Sequence, residues 1–117
     1  MSTNQPAHID SATAGAMRMF MERIASDYET AGAILFGSRA RGTHRADSDA
    51  NVVVLLYGQH ARFLPAKLAM IDLAFEVLLE TGINISPFPV WLDEWAHPES
   101  YSNPELLRSI AREGVRL

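Results

Sequence analysis

The chain has 117 residues, of which 48% are hydrophobic and 21% charged, a length and composition that suit one domain with a real core and leave no room for a second. Its formal net charge of −4 argues against general nucleic-acid binding, which needs lysine and arginine over a broad surface. The absence of cysteine excludes disulfides and thiolate metal sites and favours a cytoplasmic protein, and no uninterrupted apolar stretch is long enough to span a membrane.

The predicted elements begin after a polar segment, residues 1–8, which carries no secretion signal and is expected to be flexible. Asp10 or Ser11 can cap a first helix that ends near Tyr28. The apolar residues of this helix recur at helical spacing: Ala12, Ala16, Met19, Phe20 and Ile24.

Two short apolar runs, residues 31–36 and 50–56, predict buried strands. A long helix is predicted over residues 61–80, with Pro65 in its first turn and Gly82 as its stop.

One face of the long helix carries a stripe of large apolar residues: Leu64, Leu68, Ile71, Phe75 and Leu79. Asp72 and Glu76 lie opposite this stripe. We therefore expect both carboxylates in solvent, with a role as a substitute metal ligand as the alternative.

A third strand is predicted from apolar residues that alternate with others: Ile83, Ile85, Phe88 and Val90. Because Pro87 and Pro89 each remove a backbone donor, this strand should run along a sheet edge. Asn103 and Pro104 then form a cap and first turn for a last helix that Gly114 ends. This order of elements predicts an α/β (α+β) fold, a small mixed sheet of three or four strands flanked by helices.

The most informative motif lies between the first two strands. Gly37 and Ser38 form a small turn whose backbone N–H groups can approach a phosphate, since glycine adds no Cβ. Asp49 and Asn51 follow, two residues apart, so that on a strand their side chains project from one face as a metal-binding pair would.

This Gly-Ser, Asp and Asn spacing resembles the motif of the nucleotidyltransferase superfamily that includes DNA polymerase beta and kanamycin nucleotidyltransferase. The chain is similar to the smallest members, the minimal nucleotidyltransferases, over residues 9–117. The resemblance implies the nucleotidyltransferase fold, with Gly37 and Ser38 on a nucleoside triphosphate and Asp49 on Mg²⁺. The implied substrate is ATP.

The chain departs from the family motif at its carboxylates. Asn51 stands where the motif has a second aspartate, and Asn84 stands on the next strand where a third carboxylate is expected. Both amides can offer an oxygen to Mg²⁺, but neither brings charge or takes a proton. We predict Asp49 and Asn51 as the catalytic pair and Asp49, Asn51 and Asn84 as metal ligands, with reduced activity.

Arginines concentrate beside the Gly-Ser turn. Arg39 and Arg41 are predicted to bind phosphate, and with His44 and Arg45 they form a local basic cluster. The cluster could steer a triphosphate or contact an acidic partner, and the alternative is ordinary solvated charge on a loop.

Two functions follow from the resemblance. The first is an enzyme that transfers a nucleoside monophosphate, AMP from ATP, to a hydroxyl of a protein or small molecule. The second is a catalytically lapsed, antitoxin-like subunit that neutralises a HEPN-family ribonuclease by binding it. Both imply a complex with a protein partner, and homo-oligomers are a further possibility. Trp91 and Trp95 either complete the core or form a platform for a partner.

Overall fold

A computed structural model describes residues 9–58 and 63–117. The segment expected to be flexible, residues 1–8, and the first two residues of the predicted long helix lie outside the described residues. The elements are α1 (Ser11–Ile24), β1 (Thr30–Phe36), α2 (Ser38–Arg41), β2 (Ala50–Leu56), α3 (Phe63–Thr81), β3 (Ile85–Trp91), α4 (Leu92–Ala96), a 3₁₀ turn (Pro98–Ser100), α5 (Pro104–Glu113) and β4 (Val115–Arg116).

The strands form one mixed sheet in the order β3-β2-β1-β4, which confirms the predicted fold class. β1 is antiparallel to β2 and β4, whereas β2 is parallel to β3. β3 lies at the edge of the sheet, as Pro87 and Pro89 predict. Two residues are too few to show a strand pattern, and for this reason β4 was not predicted.

Side chains of the central strand β2 alternate between two apolar clusters, one on each face of the sheet. Val52 and Val54 pack with residues of α1 and α3, whereas Val53 and Leu55 pack with Leu107 and the rest of the buried side of α5. The sheet is therefore covered on both faces, and the odd-numbered residues of β2 belong to the α5 face.

Two predicted helix caps are confirmed. Asp10 accepts a hydrogen bond from the backbone N–H of Thr13 at 3.1 Å, and Asn103 accepts one from the N–H of Leu106 at 3.2 Å. α1 ends at Ile24, slightly before the predicted end near Tyr28, and Gly114 follows α5 as expected.

The orientation of α3 differs from the prediction. The stripe predicted as the buried side is exposed, with exposed fractions between 41% and 70% at Leu64, Leu68, Ile71, Phe75 and Leu79. The buried side consists of Ala66, Met70, Ala74 and Val77. The alanines let the helix approach its neighbours closely, so the core is filled without the large side chains. Asp72 and Glu76 are exposed as predicted, but the predicted position opposite the stripe is wrong for Asp72, because it lies four residues after Leu68 and borders the exposed stripe.

The tryptophans complete the core. Trp91 is buried with the α1 and α3 cluster, and Trp95 packs half-buried against the α5 cluster, so the first of the two predicted roles holds. None of the helices in the described part of the chain has the length and apolar content needed to cross a membrane.

Candidate functional site

The predicted motif lies at one edge of the sheet. Because β1 runs against β2 while β2 and β3 run together, the end of β1 and the starts of β2 and β3 meet there. In the strand register Phe36 pairs with Asn51, and Asn51 pairs with Ser86. The fold therefore gathers the Gly37–Ser38 turn and the candidate metal ligands from three strands.

Gly37 makes the turn possible. It adopts φ 83° and ψ −159°, a conformation that only glycine adopts readily. A Cβ on this residue would lie 2.7 Å from Nδ2 of Asn51, closer than two such atoms can approach. The amide of Asn51 thus lies directly against the turn, and Ser38 begins the short helix α2 beyond it.

The structure also brings two predicted metal ligands together. Nδ2 of Asn84 donates to Oδ1 of Asp49 at 3.2 Å, and the backbone N–H of Ala50 donates to the carbonyl of Asn84 at 2.9 Å. The segment before β3 is therefore fixed against the start of β2.

The three candidate ligands offer the oxygen atoms that Mg²⁺ prefers, but only one of them is a carboxylate. Asp49, Asn51 and Asn84 all carry hard oxygen atoms, and Mg²⁺ in proteins often uses one carboxylate together with water and substrate phosphates. Within residues 9–58 and 63–117 no three histidine, cysteine or acidic side chains are grouped so that they could hold a metal. The residues suit a metal that arrives with a triphosphate better than a resident ion.

Sequence reasoning missed Ser86. Its Cα pairs with that of Asn51 in the parallel register, so the two side chains lie side by side on the α5 face of the sheet. The signal was available in its distance of two residues from Asn84, which places both on one face of the strand. It adds a hydroxyl to a site already lined by amides.

Arg39 lies in α2, directly after the turn, and is only 2% exposed. Its guanidinium donates to the carbonyl of Ser48 at 2.8 Å, to that of Ala46 at 3.1 Å and to Oγ1 of Thr13 at 2.8 Å. These bonds fix the loop that joins α2 to β2. The assignment of Arg39 to phosphate stays a prediction, but the observed contacts are those of a loop anchor.

The rest of the basic cluster divides in two. Nε2 of His44 lies 3.3 Å from Oδ1 of Asp10, whereas Arg41 and Arg45 are exposed. Burial acts to raise the pKa of Asp10, but hydrogen bonds from Thr13 and the nearby His44 outweigh it, so this pKa lies below its ordinary value of 3.8. Exposed Arg41 is thus the better placed of the two predicted phosphate-binding arginines.

A cleft of about 100 Å³ adjoins the turn on the α5 side. Its lining combines apolar and polar residues: Phe36, Gly37, Arg41, Leu106, Ser109, Ile110 and Glu113. Larger hollows lie beside Tyr101 and beside Tyr57, away from the motif. The small cleft shares Gly37 with the turn, which connects it to the motif.

Comparisons with known proteins agree with this geometry. A family model described as a nucleotidyltransferase domain matches residues 17–106. The crystal structure of a candidate nucleotidyltransferase from Sulfolobus solfataricus superimposes with a TM-score of 0.54 at 18% identity, covering 92% of this chain and 86% of the other. At that identity the likeness shows the fold alone. A search of curated proteins finds no match to the sequence.

Proposed function

Because this chain belongs to the nucleotidyltransferase domain family, we propose that it transfers a nucleoside monophosphate, AMP from ATP, to a hydroxyl group of a protein or small molecule. One observation carries the proposal: the Gly37 turn, the amide of Asn51 and the Asp49–Asn84 pair meet at one edge of the sheet. Having no cysteine, the chain suits the reducing cytoplasm, where we place it.

The phosphates of the nucleotide would lie on Gly37 and Ser38. A backbone without a Cβ allows the close approach, and the Asn51 amide beside it can donate a hydrogen bond to a phosphate oxygen. Exposed Arg41 can reach the same turn from α2 as a counter-charge. The cleft between Gly37 and α5 adjoins this turn, and at about 100 Å³ it is smaller than the roughly 300 Å³ of a usual ligand pocket, so we assign it only a part of the nucleoside.

Asp49, with the oxygens of Asn51 and Asn84, would hold Mg²⁺ jointly with the phosphates. The ion supplies charge stabilisation on the phosphate oxygens as negative charge shifts during transfer. In the reaction the acceptor oxygen bonds to the α-phosphorus, the bond from that phosphorus to the β-bridging oxygen breaks, and pyrophosphate leaves. Asp49 is the motif's remaining carboxylate and would take the hydroxyl proton.

Asn51 lowers the rate in this scheme. One unit of charge is missing beside a divalent ion, which would cost several kcal/mol of transition-state stabilisation, or on the order of a thousandfold in rate. The protein should therefore transfer slowly, and Asn51→Asp should be the faster variant.

The test incubates ATP labelled at the α-phosphate with Mg²⁺, the protein and the protein that co-purifies with it. Wild type, Asn51→Asp and Asp49→Ala are compared, with Asp27→Ala as the control for an exposed acidic residue outside the site. We expect label on the acceptor from wild type, more from Asn51→Asp and none from Asp49→Ala. If Asn51→Asp transfers nothing and binds no Mg-ATP, the enzyme proposal fails.

The weakly charged donor set favours a second candidate, an antitoxin-like subunit that blocks a HEPN-type ribonuclease by binding it. Here the fold and its surface would matter more than the metal ligands. The two candidates separate on Asp49→Ala, because this variant should lose protection against the ribonuclease if transfer is required and keep it if contact suffices. Protection kept by Asp49→Ala together with label transfer by wild type would assign both roles.

A further inference from the structure

The most unusual surface outside the site is the apolar stripe on α3. Its first four residues, Leu64, Leu68, Ile71 and Phe75, are spaced by four, three and four positions, and Leu79 follows four residues later. All five are more than two-fifths exposed. Alternation of three and four is the spacing of a coiled-coil seam, which is narrower than the face a helix usually turns to its own core.

We propose that two copies of this chain pair through their α3 helices, side by side and parallel, about a twofold axis along the seam. A contiguous stripe of large apolar side chains in water marks an interaction surface, and seam spacing selects another helix as its occupant. The inference concerns assembly and does not rest on the proposed activity.

Charges beside the stripe favour a second copy and set its direction. Lys67 borders the seam on one side and Asp72, five residues later, borders it on the other. In a parallel pair, residues five apart on the two flanks lie opposite each other, so each Lys67 meets Asp72 of the partner subunit. An antiparallel pair would instead bring the two Asp72 carboxylates together.

The other charges near the stripe have partners within their own chain. Arg23 on α1 pairs with Glu76 at 3.2 Å and also with Glu80, which ties the acidic row of α3 to α1. Lys67 itself also has a contact within its own chain, because its ammonium lies 4.0 Å from the centre of the Phe88 ring, and pairing with Asp72 of the partner subunit requires it to leave that ring. Neither pairing covers the stripe.

The two segments outside the described ranges have few apolar residues. Residues 1–8 and 59–62 contain one methionine and no other large apolar residue. They could not match five leucine-sized side chains. A second α3 presents the same seam and satisfies the self-complementarity that a twofold interface requires.

The first experiment measures oligomeric state by sedimentation over a dilution series. We expect a concentration-dependent dimer that weakens at least about tenfold in Leu68→Glu and Phe75→Glu. Leu117→Glu is the control because Leu117 is also exposed but lies at the end of the chain. Circular dichroism checks that each variant folds. We expect all three to fold because the substituted residues are exposed. A wild type that is monomeric up to about 1 mM overturns the proposal.

The second experiment determines the direction of pairing. Since the chain has no cysteine, single variants Leu64→Cys, Ile71→Cys and Phe75→Cys report self-contact through a disulfide. In a parallel pair each should cross-link to its own copy, because equivalent residues face each other along the whole seam. Cross-linking only at the middle position indicates an antiparallel pair, and a dimer with no cross-link at any position indicates a different interface; either result overturns the proposal. A protein that stays monomeric and binds a helix of a different protein through the stripe also overturns the proposal.

Discussion

Asn84 donates its amide hydrogen to the carboxylate of Asp49 at 3.2 Å, so the acidic residue of the motif faces an amide where the family motif leads one to expect another acid. The amide gives one carboxylate oxygen of Asp49 a hydrogen-bond donor without adding negative charge to the site. The Asp49–Asn84 pair therefore needs no metal ion to hold it together. Two carboxylates at the same distance would repel each other, and a bound cation would relieve that repulsion.

Asn84→Asp should convert this pair into a metal site. Like charges in contact destabilise the apo protein by about 1 kcal/mol, and Mg²⁺ should restore that stability. Thermal melts in EDTA and in millimolar Mg²⁺, without nucleotide, measure the change. Wild type should show almost no response to Mg²⁺, and Asp27→Asn serves as an exposed control. A variant that ignores Mg²⁺ would remove Asn84 from the list of metal ligands.

Gly37→Ala should destabilise the fold by about 3 kcal/mol or more and abolish ATP binding. Alanine disfavours the backbone angles of this residue, and its Cβ would collide with the Asn51 side chain. Gly82→Ala is the matched control, since Gly82 also has a positive φ but open space around it. That change should cost only about 1 kcal/mol. Urea unfolding measures both.

A double-mutant cycle tests the steric part of this prediction. Asn51→Ala removes the amide that the new methyl would meet, so Gly37→Ala should cost less in the Asn51→Ala background. Equal costs in the two backgrounds would show that backbone strain alone disfavours alanine.

Arg39→Met and Arg41→Ala should act on different quantities. Arg39 is buried, and its loss leaves the loop carbonyls and Thr13 without their donor, at about 3 kcal/mol in unfolding free energy. Arg41 is exposed, so Arg41→Ala should leave stability within about 0.5 kcal/mol and weaken ATP binding about tenfold. Urea unfolding and calorimetric titration with ATP separate the two. An Arg39→Met protein of normal stability would contradict the anchoring role.

Asp10→Asn should change how stability depends on pH. The pKa of Asp10 is lower in the folded protein than its ordinary 3.8, so its ionised form stabilises the fold above that value, and the benefit is lost as pH falls through the folded pKa. Asparagine caps a helix about as well as aspartate, so at pH 7 the variant should be less stable by only roughly 0.5 kcal/mol.

Denaturation curves between pH 7 and pH 2 would check this expectation. The difference between wild type and Asp10→Asn should be constant near neutrality and disappear below pH 3.8. A difference that persists at pH 2 would mean that Asp10 acts through hydrogen bonding alone.

Local chemistry made much of the fold predictable. Proline cannot donate to a strand ladder, which placed β3 at an edge, and side-chain oxygens located the caps of α1 and α5. The spacing of Gly37, Asp49 and Asn51 predicted a shared site because strand ends gather side chains. α4 was not predicted since it follows β3 directly, with no glycine or proline between them.

Two features, the orientation of α3 and the burial of Arg39, could not be predicted from the sequence, and the reason is physical. Amphipathic spacing shows that α3 has an apolar face but not what covers it, and its alanines sufficed for the core side. The sequence does not show whether an arginine beside the Gly37 turn points to solvent or into the protein. Only the positions of Thr13 and the loop carbonyls give Arg39 buried acceptors.

The bond from Arg39 to fully buried Thr13 joins residues 26 positions apart and connects the site loop to α1. Separating α1 from the sheet would break it, and the loop that carries the turn would then lose its shape. If a nucleotide binds at this loop as we propose, its affinity and the docking free energy of α1 are thermodynamically linked, and each strengthens the other by the same factor. Binding at the edge of the sheet would then also stabilise the packing of the first helix.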